Sequence, residues 1–147
     1  MSEIIVSENN PYYKNLDSAV ISSDGKSLVT YPAQSPVKTF IIPDSVTQMP
    51  PNIFDACSNL EKVELSENIT TISYSAFYGC SSLNTVYIKN NVTLIDECAF
   101  SDCTALEYIY IPSSVETIAD SAFDGCSSLK YVVMEDGVEL IGSNAFS

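Results

Sequence analysis

The strongest nucleophiles in this 147-residue chain are five cysteines, and four of them, Cys57, Cys80, Cys103 and Cys126, recur at intervals of 23 residues. Thiolates bind soft metals and exchange disulfides, but zinc sites bring cysteines in C-x-x-C pairs, and these come singly. Side chains stacked in parallel from successive units do not aim their sulfurs at one another, even where Cα atoms approach the ~4.4–6.8 Å that a disulfide needs. The expected state is a ladder of buried, reduced thiols that pack as small hydrophobes. Cys98 lies outside the series, at the place held in other units by Asn52, Ser75, Ser121 and Asn144. It is expected near the surface and is the better candidate for reactivity.

The chain has no histidine, which removes Ser-His-Asp and Cys-His activation together with the commonest zinc ligand. No phosphate-cradling glycine loop or EF-hand spacing occurs, and the carboxylates are scattered. A carbohydrate-processing site would need acids converging beside aromatic rings, and only Glu64 and Glu107 are placed for that. The reading is therefore no enzyme, no metal and no cofactor. Six lysines, no arginine and 19 acids give a net charge of −13, which repels nucleic acid and anionic membranes alike. No apolar run approaches the ~18 residues of a membrane span, so direct insertion is not expected either. Met1, Ser2 and Glu3 precede only three apolar residues, which is not the pattern of a signal peptide.

What must position these residues is a repeat. Phenylalanine stands at 54, 77, 100, 123 and 146, each 23 residues after the last. The same interval relates Leu60, Leu83, Leu106 and Leu129; Val63, Val86, Ile109 and Val132; and Leu65, Ile88, Ile111 and Met134. It also relates Ile69, Val92, Val115 and Val138, and Ile72, Ile95, Ile118 and Ile141. A period of 20–29 residues with a leucine-led core segment marks a leucine-rich-repeat solenoid, each coil giving one strand to a parallel sheet. Val63 and Leu65 lie two apart and share the core face of such a strand. The remaining wall, rich in Ser, Asn, Asp and Gly, is expected to be turns and short 3₁₀ pieces on the convex side, with the sheet concave. The whole is mostly β and loop.

Residues 1–147 read as one domain, with regular coils from 37 to 147 and an irregular unit at 1–36. Val37, Phe40, Ile42, Val46 and Met49 make a weaker first coil. Ile4 and Val6 resemble a strand core, and Ser18–Ser22 and Ser27–Tyr31 flank Asp24-Gly25 as an inserted β-hairpin. A chain that starts on Ile-Ile-Val and stops at Ala145-Phe146-Ser147 without a polar cap is expected to be part of a longer protein.

The segments A-F-Y-G-C-S-S-L-N-T-V-Y-I at 76–88, A-F-D-G-C-S-S-L-K-Y-V at 122–132 and I-P-S-S-V-E-T-I at 111–118 resemble the BspA-like leucine-rich-repeat proteins of bacteria and of parasitic protists such as trichomonads. The N-P-Y-Y and S-S-D-G-K-S-L-V-T-Y-P segments also look like that family's hairpin-bearing unit. The post-strand proline, present at Pro43 and Pro112, is replaced by Ser66, Lys89 and Glu135. The resemblance implies a non-catalytic cell-surface adhesion module that binds host extracellular-matrix or cell-surface proteins. A structural spacer that self-associates is the rival expectation.

On the exposed strand face, Tyr87 and Tyr110 share one column and Tyr108 and Tyr131 another. Parallel strands ~4.8 Å apart make these four a contiguous patch, continuing toward Lys62 and Glu64. Tyrosine offers large contact area at low entropic cost and is enriched at binding hot spots, although it is also simply a good exposed strand residue. Asn68-Ile69-Thr70 and Asn91-Val92-Thr93 are glycosylation sequons one repeat apart, with Asn68 and Asn91 on the same edge. Asn and Thr also suit a post-strand turn on their own account.

Overall fold

The computed structural model describes all 147 residues and contains twelve strands and no helix. The first three, β1 (Tyr13–Leu16), β2 (Ala19–Ser22) and β3 (Leu28–Thr30), form an antiparallel sheet in that order. The β2–β3 turn is built as Asp24-Gly25 dictates. Gly25 takes a φ of 74°, and the Asp24 carboxylate accepts bonds from the Ser22 hydroxyl at 2.6 Å and the Lys26 amide at 3.0 Å. One expectation fails nearby. Ile4 to Val6 form no strand, and Ile5 is exposed. The Asn15 side chain accepts from the Val6 amide and donates to the Ile4 carbonyl, both at 2.7 Å, in place of a strand partner. The strand that does pair with the hairpin is β1.

From residue 39 onward each coil contributes to a broad parallel sheet and, from the second coil, also to a narrow one. In chain order these strands are β4 (Thr39–Ile41), β5 (Lys62–Glu64), β6 (Thr71–Ile72), β7 (Thr85–Tyr87), β8 (Leu94–Ile95) and β9 (Tyr108–Ile111). They are followed by β10 (Thr117–Ile118), β11 (Tyr131–Met134) and β12 (Leu140–Ile141). The register follows the repeat, with Phe40 opposite Val63, Val63 opposite Val86, and Ile109 opposite Val132. The second sheet, β6-β8-β10-β12, pairs the two-residue Thr-Ile or Leu-Ile segments, an element the repeat pattern does not announce.

The third wall is turns rather than 3₁₀ helix, for a backbone reason. Along it the amide donors alternate: Ala76, Tyr78 and Cys80 donate to Ser73, Ser75 and Phe77 three residues back, while Ser75, Phe77 and Gly79 donate to Glu97, Ala99 and Ser101 in the next coil. A 3₁₀ run would need every donor for itself. Two columns hold this path by adopting left-handed φ: Asn52, Ser75, Cys98, Ser121 and Asn144 at 49° to 58°, and Ala56, Gly79, Asp102 and Gly125 at 52° to 71°.

The interior is one cluster of 36 buried residues spanning hairpin and coils. Phe54, Phe77, Phe100, Phe123 and Phe146 stack face to face at 5.0–5.1 Å, close to the strand spacing. Tyr31, from the hairpin segment, closes the stack by packing on Phe40 at 5.2 Å and Phe54 at 5.0 Å.

Candidate functional site

The periodic thiols are structural. Cys57, Cys80, Cys103 and Cys126 are buried and unlinked, and the last three donate their S–H groups to the Phe54, Phe77 and Phe100 carbonyls of the preceding coil at 3.0–3.2 Å. Each of those carbonyls also accepts the amide of the cysteine in its own coil, so one oxygen joins two coils. Burial pushes the Cys126 thiol up to about 11 and Cys103 further still, which suppresses the nucleophilic thiolate. Cys98 is half-buried; burial first, then the carboxylates of Glu97, Asp124 and Asp102, raise its pKa as well. No group of three or more Cys, Asp or Glu side chains is arranged to hold a metal ion.

The two sequon asparagines are exposed and occupied in the fold. Asn68 Nδ2 donates to the Asp44 carbonyl at 2.8 Å and Asn91 Nδ2 to the Glu67 carbonyl at 2.5 Å, each a rung to the coil before.

On the broad sheet, Tyr87, Tyr108, Tyr110 and Tyr131 all stand exposed, with Tyr108 directly opposite Tyr131. Lys62 Nζ sits 4.7 Å from the Tyr87 ring centroid, a cation–π contact that joins it to the patch. Glu64 lies opposite Tyr87 in the register, but its carboxylate pairs with Lys89 at 2.8 Å. Glu135 enters the site unforeseen. It accepts a short bond from the Tyr110 hydroxyl and one from the Ser113 amide at 2.8 Å. These two bonds hold its carboxyl below the usual range, and the first raises the Tyr110 hydroxyl, so the contact persists through neutral pH. The only sequence signal for Glu135 was its place in the column that elsewhere carries Pro43 and Pro112.

The sheet carrying these rings is not continuous. It divides into β4-β5-β7 and β9-β11, with no pairing between β7 and β9. A cleft of about 290 Å³ opens at the division, lined by Asn84, Thr85, Val86, Tyr87, Tyr108 and Tyr110.

Residues 30–147 match the BspA-type leucine-rich repeat region in six copies. The chain belongs to the BspA-type leucine-rich-repeat family. No curated protein sequence matches it. Among solved structures it is similar to the pneumococcal vaccine antigen PcpA, at 22% identity over 98% of this chain and 37% of that one, with a TM-score of 0.88. It is also similar to a leucine-rich cell surface protein of Faecalibacterium prausnitzii, at 25% identity, 90% and 39% coverage and a TM-score of 0.76. A leucine-rich repeat protein of Bacteroides ovatus shares 33% identity over 77% of this chain and 35% of its own, with a TM-score of 0.67. The chain thus spans less than two fifths of each of these proteins. No helix of this BspA-type chain is long and apolar enough to cross a membrane.

Proposed function

We propose that this BspA-type repeat array is a non-catalytic protein-binding module of a cell-surface protein and engages host matrix or cell-surface proteins through its tyrosine-bearing sheet. The observation that supports this reading most directly is the exposure of Tyr108, Tyr110 and Tyr131 on β9 and β11, with Tyr87 exposed across the cleft on β7. Aromatic rings on short strands bury area without ordering long flexible chains. The similar F. prausnitzii protein is a cell surface protein, which supports the location.

The test is to replace Tyr108 and Tyr110 together by Ala and measure binding to immobilised matrix proteins and to host cells. Both rings face away from the core, so circular dichroism of the double variant is expected to be unchanged, while affinity falls by about 2 kcal/mol or more, roughly 30-fold. Undiminished binding by a folded variant would move the contact elsewhere.

The alternative is a spacer or self-assembling scaffold. In the last coil Val132, Met134, Ile141 and Phe146 are exposed, although their counterparts Ile109, Ile111, Ile118 and Phe123 are fully buried. A second copy docked there would cover these side chains. Concentration-dependent sedimentation that Ile141→Lys abolishes would support that reading.

A further inference from the structure

The division between β7 and β9 has consequences on both its lips. In neighbouring coils the amides of Asn84 and Thr85 donate to the Glu61 carbonyl, and those of Lys130 and Tyr131 to the Glu107 carbonyl. The equivalent amides of Glu107 and Tyr108 have no backbone partner. Ile88 likewise lacks the next-coil carbonyl that Leu65 finds in Tyr87 at 3.2 Å. Core residues are uncovered at the same place. Val86 and Ile88 are each 8% exposed, against 0–1% for Val63, Leu65, Ile109 and Ile111.

The rings that share a column across the gap are held by different coils. Tyr87 is held under Lys62 from the coil before, and Tyr110 is tied to Glu135 from the coil after. The narrow sheet continues unbroken past this point, so the coils stay joined on that side while the broad face opens.

We propose that this cleft is a seat for an extended, cationic peptide segment whose large apolar side chain enters between Tyr87 and Tyr110, over Val86. The proposal rests on the reading of the tyrosine face as a binding surface and narrows it to one place and one kind of ligand. The segment is extended because what the lips offer is unpaired main chain, the groups a sheet edge presents to an added strand. An apolar anchor fits because four of the six lining residues are Val or Tyr. A cationic ligand fits because the chain carries −13 and no lysine lines the cleft. Nearby Lys62, Lys89 and Lys130 are engaged by Tyr87, Glu64 and Glu107.

The experiment is amide hydrogen exchange by NMR on the whole 147-residue chain. The probe is a blocked heptapeptide with lysine at each end, alternating valine and threonine, and a central phenylalanine. In the free protein the Tyr108 amide should exchange at least tenfold faster than that of Thr85, and saturating peptide should slow Tyr108 and Ile88. Thr85→Trp, which fills the cleft and leaves all four tyrosines, should weaken peptide binding at least tenfold, as should exchanging the peptide's lysines for glutamates. Tyr108 and Thr85 amides equally protected in the free protein would overturn the proposal, as would a peptide that fails to bind or an acidic peptide that binds equally well. Peptide that shifts the tyrosine ring signals without protecting the lip amides would overturn the cleft and leave the broader tyrosine surface standing.

Discussion

Residues in the left-handed region carry a local conflict that can be read at single positions. The column of Ala56, Gly79, Asp102 and Gly125 requires a positive φ in every coil, and only two of its four members are glycine. A left-handed L-residue costs about 1–2 kcal/mol, and glycine gives back about 0.5–1 kcal/mol of that in chain entropy. Ala56 is exposed and buries no methyl group of consequence. Ala56→Gly should therefore stabilise the protein by about 0.5–1 kcal/mol in urea denaturation, and Gly79→Ala should lose a similar amount although its Cβ would meet nothing closer than 3.8 Å. If both substitutions shift stability the same way, backbone conformation does not govern this column. Cys98 sits in the other left-handed column, where the Asn and Ser of its companions already signalled a surface turn. Its access and its acidity act in opposite directions. It should be the first cysteine alkylated in the folded protein, yet slowly at pH 8, with the rate still climbing above the ordinary thiol range because its raised pKa delays the thiolate. Mass spectrometry across pH distinguishes this from labelling of Cys57, Cys80, Cys103 or Cys126, which should require unfolding.

At the scale of the coil, register was legible in the sequence because a parallel ladder between successive coils must be offset by one repeat. The spacing of Val63, Val86 and Ile109 is therefore also their neighbour relation. The phenylalanine stack follows from the same logic, and Phe100 lies between two rings at 5.1 Å with no exposed surface. Phe100→Ala should cost about 3–5 kcal/mol in thermal or denaturant unfolding, and a loss below about 1 kcal/mol would mean that the stack does not hold the core. The narrow sheet was not legible, since two residues such as Thr71 and Ile72 are too short to show a period of two. The absence of 3₁₀ turns was hidden for a related reason: a local donor pattern gives no sign that every second amide leaves for the next coil. Ile4 and Val6 mimicked a strand core by composition alone. The opening between β7 and β9 was the least legible feature. The tyrosines on its two sides are held by Lys62 and Glu135, each 25 residues away in a neighbouring coil.

At the scale of the whole molecule, the two ends differ in what covers the last ring of the core. At one end the β1–β3 sheet folds over the first coils, burying Ala19, Ile21, Leu28 and Tyr31 in the common core. At the other, Ile141 is 50% exposed while Ile95, two coils earlier in the same column of the narrow sheet, is fully buried. A solenoid is held by each coil's own contacts plus those with its neighbours, so a coil with one neighbour is the weakest link. In this chain unfolding should begin at β11 and β12 and travel toward the hairpin. Among amides hydrogen-bonded to a neighbouring coil, that of Tyr131 should exchange with the lowest protection, and those around Ile72 and Ile95 with the highest. The same asymmetry fixes the cost of equal substitutions. Ile95→Ala should lose about 2–5 kcal/mol, and Ile141→Ala at most about 1 kcal/mol, because half of that side chain already meets water. Equal losses at the two positions would mean that the last coil is covered in solution, which self-association through that face would produce and sedimentation would then detect.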